Sequence, residues 1–164
     1  LYTSNDNIIN LGSGKLWRIR IENWLQELYN VKLVGEGDNG MKAVASVIMN
    51  RVNVSDGEYA RISQGGNIRN IIFQERQFDC STETLLRSYN PQNIYNMNPE
   101  EIHYYIADWA LSGNRLNEIG DCLWYLNPFR PSCANTFPSN GSGTFHTRLG
   151  EHCFYRPTSM YRET

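Results

Sequence analysis

The sequence predicts an α+β fold that is mostly helical, with a small irregular β element in the C-terminal third. Before Gly120, apolar residues recur in several segments with the 3.6-residue period of amphipathic helices. After Gly120 that period disappears, and two short aromatic-rich runs are each closed by a proline turn, which is typical of short strands. With 164 residues, 40% hydrophobic and 20% charged, the chain suffices for one domain with a single core.

Two long helices are predicted near the start of the chain. Residues 1–14 are polar and rich in turn formers, so we expect a flexible N-terminal arm before a single domain over residues 15–164. Leu16–Val31 carries its apolar residues on one helical face. Met41–Val52 is apolar over most of its circumference, which predicts a central helix.

Shorter helices are predicted in the middle of the chain. Residues 53–67 are rich in Gly, Ser, Asn and Asp and predict a loop, followed by short helices at Ile68–Phe73 and near Ser81–Tyr89. The run Asn98-Pro99-Glu100-Glu101 predicts a helix start, and this helix is expected to end at Gly113. Its inward-facing residues are predicted to be Ile102, Tyr105, Ile106, Trp109 and Ala110.

The C-terminal third is predicted to hold strands at Cys122–Leu126 and His152–Tyr155, with a loop over residues 129–143. Aromatic residues make up 12% of the chain, and several cluster in this third. Aromatic faces pack against the C–H groups of sugar rings, and they also fill small β cores. The sequence leaves both roles open.

Charge and hydropathy argue against two classes of partner. The formal net charge of −2 gives no basic footprint for a nucleic acid. No run approaches the roughly 18 apolar residues that a membrane-spanning helix needs. Neither a nucleic-acid partner nor a membrane span is therefore expected.

The four cysteines are Cys80, Cys122, Cys133 and Cys153, and no two of them have zinc-ligand spacing. His103, His146 and His152 do not complete such a motif, so a structural zinc site is disfavoured. In an oxidising compartment, a disulfide among the last three cysteines would staple the loop-rich C-terminal third. The sequence does not decide the pairing.

A glycine-spaced acidic turn, Gly35–Gly40, places Glu36 directly before the predicted central helix. As a catalytic acid, Glu36 needs burial in an apolar pocket, whereas as a structural residue it orders the turn at the helix N-terminus. The helix also carries a polar strip. The members of this strip are Asn39, Lys42, Ser46, Asn50 and Asn53. The strip is either an edge of the helix that faces solvent or, at Asn50, part of the lining of a cleft.

Five blocks in a fixed order carry a family resemblance. They are Gly35–Met41, Asn50-Arg51-Val52, Gln77-Phe78, Leu123–Pro128 and His152–Pro157. Together they resemble the SleB/CwlJ cell wall hydrolase family, most closely the CwlJ-type spore cortex lytic enzymes. The similarity covers roughly residues 20–158.

The resemblance implies a lysozyme-like domain that cleaves the glycan strands of bacterial peptidoglycan of the spore cortex type. A lytic transglycosylase or muramidase-like reaction is implied, with no cofactor. Such a reaction needs one proton-donating acid, because the sugar's own 6-hydroxyl can replace a second carboxylate. The implied partners are peptidoglycan glycan strands and a spore-coat protein, and the implied location is the bacterial cell wall, the spore coat or cortex, or the medium after secretion.

One position departs from the family pattern. Relatives carry a glutamate, the usual candidate acid, where this chain has Lys32, and only Glu36 remains. Lysine stays protonated near neutral pH and is a poor proton donor. The sequence therefore leaves two hypotheses: an enzyme with Glu36 as the catalytic acid, or a weak or inactive peptidoglycan-binding or spore-coat structural protein.

Further residues of the blocks are candidates for contact with the glycan, each with packing or capping as the alternative role. A calcium loop at Asp38-Asn39 and a Cys–His amidase are weaker alternatives, because neither has a complete motif. The candidate substrate-binding residues are Asn50, Gln77, Phe78, Trp124, Tyr125, Asn127, His152 and Tyr155.

Overall fold

A computed structural model of the protein describes residues 36–74, 77, 84–85, 88–89 and 99–164. The predicted arm, the helix at Leu16–Val31 and the residues Lys32, Phe78 and Cys80 lie outside the described residues. The helices are α1 (Gly37–Asn53), α2 (Gly57–Ser63), α3 (Ile68–Ile72) and α4 (Glu101–Leu111). The strands are β1 (Thr84–Leu85), β2 (Ser88–Tyr89), β3 (Trp124–Leu126), β4 (Gly143–Leu149) and β5 (His152–Pro157), and a 3₁₀ helix (Ser159–Glu163) follows.

Helix α1 is the central element, and α2, α3, α4 and β3 all pack against it. Met41, Val44 and Ile48 on this helix are completely buried, as its wide apolar surface predicts. The helix begins at Gly37 rather than at the predicted Met41. Glycine and polar residues are tolerated there, because the first amides of a helix have no intrahelical partner and an acidic residue such as Asp38 is stabilised near them.

The C-terminal sheet has the strand order β3-β5-β4 and is antiparallel throughout. Trp124 pairs with Tyr155 in β3 and β5, and Leu149 pairs with His152 across the turn from β4 to β5. The α+β fold with a small C-terminal β element is confirmed, as are the two predicted strands. Strand β4 was not predicted.

Two local predictions are wrong. The predicted loop over residues 53–67 contains α2, whose Tyr59 is 2% exposed and packs on Trp124 and Tyr161. Glycine is required at position 57 for two reasons, because its φ is +69° and a Cβ there would lie 2.6 Å from the Tyr161 ring. In the predicted short helix near Ser81–Tyr89, the described residues instead form the antiparallel strand pair β1–β2, because so short a segment gains little from helix formation.

Helix α4 is confirmed, with one error in its inward face. Ile106 and Ala110 are fully buried, but Tyr105 is 58% exposed and its ring lies 5.9 Å from the Lys42 ammonium. Glu100, rather than Asn98, is the capping residue, and its backbone N–H donates to Nδ1 of the buried His103. None of the helices in the described part of the chain is long and apolar enough to cross a membrane.

Candidate active site

The carboxylate of Glu36 lies at the N-terminal end of α1, against the turn that joins β4 to β5. Its side chain is 4% exposed. Although Glu36 occupies the capping position of α1, its side chain makes no hydrogen bond to the helix amides. The carboxylate therefore contacts the turn between β4 and β5, which is distant in sequence, and does not cap the helix.

One oxygen of this carboxylate is held by two groups. Oε1 accepts a hydrogen bond from the backbone N–H of Glu151, and it lies 2.8 Å from Nδ1 of His152. The other oxygen, Oε2, is buried and has no hydrogen-bond partner among the described residues. A buried carboxylate oxygen without a partner is costly for folding alone and is typical of functional sites.

Gly150 makes this close approach possible. A Cβ at this position would lie 2.7 Å from Oε1 and 2.8 Å from the carboxyl carbon of Glu36. The backbone φ of Gly150 is +53°, a value that side chains disfavour. The two-residue turn Gly150-Glu151 therefore joins the strands tightly and presents an amide to Glu36.

Arg148 fixes the same turn to the loop before β4. Its guanidinium donates to the carbonyl of Gly150 at 2.9 Å and to the carbonyls of Arg130 and Pro131. It also lies 3.3 Å from the carboxylate of Glu151. The loop over residues 130–131 is thus held beside the turn that binds Glu36.

A disulfide adds a covalent link between the same two segments. Cys133 is bonded to Cys153, and their Cα atoms are 5.8 Å apart. Cys153 follows His152 directly, so the bridge ties the loop to the strand that carries the histidine. The disulfide prediction is confirmed, and the structure supplies the pairing that the sequence left open.

Tyr125 completes the cluster around the histidine. Its ring centroid is 5.8 Å from that of His152, and it stacks at 6.0 Å on the buried ring of Phe154. Glu36, His152 and Tyr125 are therefore the predicted site residues that the structure brings together. Tyr125 is only partly buried.

The predicted residues Asn50 and Gln77 take part in a second network, about 20 Å along α1 from Glu36. The amide of Asn50 donates to the carbonyls of Gly120 and Cys122 at 2.8 and 3.0 Å. The neighbouring Arg51, 4% exposed, donates to the carbonyl of Leu123 at 2.6 Å and to Oε1 of Gln77 at 3.1 Å. This network holds the segment that leads into β3.

The remaining predicted residues occupy other positions. Trp124 is 6% exposed and packs edge-on against Tyr161, while Tyr155 is fully buried between Phe137 and Phe145. Asn127 accepts a hydrogen bond from the backbone N–H of Phe129 at 2.8 Å and so forms a local turn. Phe78 lies outside the described residues.

The thiol chemistry of an amidase finds no support at this site. Cys153, next to His152, is in the disulfide and is not a nucleophile. Cys122 is fully buried, and burial raises the pKa of its thiol to about 12. Among the described residues, no three His, Cys, Asp or Glu side chains form a group suited to a metal ion.

The arrangement suits transfer of a single proton. Oε1 is anchored by an amide and an imidazole, so the carboxyl group has a fixed orientation, while Oε2 makes no competing hydrogen bond with any described residue. Sequence reasoning missed Arg148, Gly150 and the amide of Glu151. The run Leu149-Gly150-Glu151-His152, a glycine-containing pair between β-prone segments, was the signal available for the turn.

Comparisons with known proteins place the chain in a family. It is 26% identical to the cell wall hydrolase CwlJ of Halalkalibacterium halodurans over 135 residues, which are 82% of this chain and 84% of that protein. It is 24% identical to the cell wall hydrolase CwlJ of Bacillus subtilis over the same shares of the two chains. No solved structure matches, so the lysozyme-like architecture stays a prediction. The sequence profile of the Cell Wall Hydrolase family matches residues 35–155, from just before Glu36 into β5. The chain therefore belongs to the cell wall hydrolase family.

Proposed function

We propose that this cell wall hydrolase cleaves glycosidic bonds in the glycan strands of peptidoglycan, with Glu36 as the general acid. The observation that carries the proposal is the buried carboxyl group whose Oε1 is anchored by Glu151 and His152 while Oε2 makes no hydrogen bond within the described structure. Its similarity to the CwlJ proteins supports the cell wall or the spore as its location.

The proposed reaction needs one carboxyl group in two roles. Protonated Glu36 donates its proton to the glycosidic oxygen, and the bond between that oxygen and the anomeric carbon breaks as positive charge develops on the ring. The sugar's own 6-hydroxyl then attacks the anomeric carbon, and the Glu36 carboxylate accepts the hydroxyl proton. The products are an anhydro sugar and a new free hydroxyl group on the departing glycan, and Glu36 is again protonated.

The residues around Glu36 have supporting roles in this proposal. His152 and the amide of Glu151 fix the carboxyl orientation, which matters because a proton donor must lie about 2.6–3.2 Å from its acceptor. The carboxylate of Glu151 is 59% exposed and paired with Arg148, an environment suited to a solvated ion pair. The proposed chemistry assigns it no part as a nucleophile.

The decisive experiment compares Glu36→Gln with wild type on purified peptidoglycan and on spore cortex fragments. Glutamine keeps an acceptor for the Glu151 amide but has no carboxyl proton, so we expect release of muropeptides to fall by at least about 100-fold. Glu118→Gln, which removes an exposed acid elsewhere, is the matched control. Undiminished digestion by Glu36→Gln would refute the assignment.

The same digests separate the competing chemistries. Mass spectrometry should find anhydro ends, and Glu151→Gln should remain active, if the 6-hydroxyl is the nucleophile. Reducing ends together with an inactive Glu151→Gln would instead indicate a two-carboxylate hydrolysis. Wild-type protein that retains insoluble peptidoglycan but releases nothing would favour the binding or spore-coat role that Lys32 suggests.

A further inference from the structure

Phe129 is exposed in a way that folding does not explain. Its side chain is 89% exposed, the largest value among the exposed large hydrophobic residues of the described structure. Its backbone φ is +51°, a left-handed conformation that bulky residues rarely adopt. The exposed ring gains almost no burial on folding, whereas the left-handed backbone costs free energy, and such strain often marks a functional position.

The loop that carries Phe129 is held in place from both sides. On one side, the Asn127 side chain accepts from the Phe129 N–H at 2.8 Å. On the other side, the carbonyls of Arg130 and Pro131 accept from the Arg148 guanidinium. A few residues further on, Cys133 is covalently bonded to Cys153. The backbone that carries the ring is therefore restrained, so the ring does not project from a loose loop.

These restraints also place the loop beside the candidate acid. The guanidinium that binds the Arg130 carbonyl also binds the Gly150 carbonyl, and the next residue, Glu151, donates its amide to Glu36. Phe129 immediately precedes Arg130 in the chain. The loop of Phe129 and the turn that binds Glu36 are therefore held together by one arginine side chain.

We propose that Phe129 is a stacking platform for a saccharide ring of the same glycan strand that reaches Glu36. The inference rests on the proposed function, because it takes the glycan as the ligand. A flat, apolar and solvent-facing ring is suited to the axial C–H groups of a pyranose. Because the loop backbone is already restrained, little backbone entropy is lost on binding, which favours affinity.

The test measures binding and stability in the same set of variants. Cosedimentation with purified insoluble peptidoglycan gives the affinity, and thermal unfolding gives the stability. We expect Phe129→Ala and Phe129→Gly to bind about tenfold more weakly, and Phe129→Tyr, which keeps the ring, to bind within about twofold of wild type. Phe129→Gly should keep or raise the melting temperature, because glycine accepts the positive φ.

The matched control is Met160→Ala, which removes another exposed apolar side chain, 53% exposed, on the 3₁₀ helix that packs against α2. It should bind like wild type. The proposal is overturned if Phe129→Ala and Phe129→Gly bind like Met160→Ala, or if Phe129→Tyr loses as much affinity as Phe129→Ala.

Glu36→Gln separates this proposal from the proposed function. If Glu36→Gln still digests peptidoglycan while Phe129→Ala fails to bind it, the acid assignment falls and the platform stands. If Glu36→Gln is inactive and Phe129→Ala binds normally, the platform falls and the acid stands.

Discussion

Gly150→Ala tests whether the position of the Glu36 carboxyl group matters, without removing any polar group. The added Cβ would lie 2.7 Å from Oε1, 2.8 Å from Cδ and 2.9 Å from Cγ of Glu36. Because carbon atoms in contact prefer about 3.5–4.0 Å, the side chain or the turn must move by roughly 0.7–1 Å. The methyl group therefore displaces the carboxyl group from its anchors.

A displacement of this size should be visible in the rate of digestion. A misplacement of about 1 Å can cost on the order of 100-fold in rate, so we expect a loss approaching that size in muropeptide release. The alanine is also expected to cost about 1–2 kcal/mol of stability, because the backbone keeps a positive φ. The assay is release of soluble muropeptides from purified peptidoglycan, at a temperature where all variants are folded.

Gly113→Ala is the matched control, because Gly113 also has a positive φ, of +93°, but a Cβ there meets nothing within 4 Å. It should lose comparable stability and keep nearly normal activity. If Gly150→Ala digests peptidoglycan within about threefold of Gly113→Ala, the reasoning about the Glu36 position is refuted.

Three further predictions concern the supports of the site and the core. His152→Ala should lower activity on the order of 100-fold, because Oε1 of Glu36 loses one anchor. His152→Asn should retain more activity than His152→Ala, because its amide can replace Nδ1–H as a hydrogen-bond donor. An equal loss of activity in both variants would contradict an anchoring role. Cys133→Ser should lower the free energy of unfolding by about 3 kcal/mol, because the disulfide closes a loop with a sequence separation of 20. An unchanged midpoint of denaturant-induced unfolding would contradict this prediction. Burial raises the pKa of Tyr161 to about 12 from its ordinary 10.0, so as the pH rises the unfolded chain loses the hydroxyl proton of Tyr161 before the folded chain does. The stability that this difference contributes is complete below pH 10 and is lost between pH 10 and 12. Tyr161→Phe should flatten the fall in unfolding free energy over that range, and an equally steep fall in the variant would contradict the assignment.

The elements that sequence reasoning predicted correctly are those with a strong local signal. Helix α1 has a wide apolar surface and α4 has a capping sequence, and the structure contains both. Helix α2 was missed because its stability comes from Tyr59 packing on Trp124 and Tyr161, residues distant in sequence. Its glycine suggested a loop, although a positive φ and close packing on Tyr161 at the start of the helix both require it.

The candidate site could be predicted only in part, because a sequence contains residue types but not contacts. Glu36 stands out from its glycine-rich setting, and the Glu36–His152 contact joins residues at a sequence separation of 116. Asn50 shows the same limit from another side. Its polarity on a buried helix predicted either a solvated edge or part of a cleft, and its side chain both lines a cavity and donates to the carbonyls of Gly120 and Cys122.

Within the described part of the chain, the groups that bind the Glu36 side chain belong to one hairpin, and this couples local stability to the proposed activity. The amide of Glu151, the imidazole of His152 and the guanidinium of Arg148 lie on or beside the turn between β4 and β5. The disulfide at Cys153 ties that hairpin to the loop of Phe129. Local opening of a hairpin costs less free energy than global unfolding. Weakening the hairpin should therefore release the carboxyl group of Glu36, and with it the proposed catalysis, under conditions in which the core around α1 is still folded.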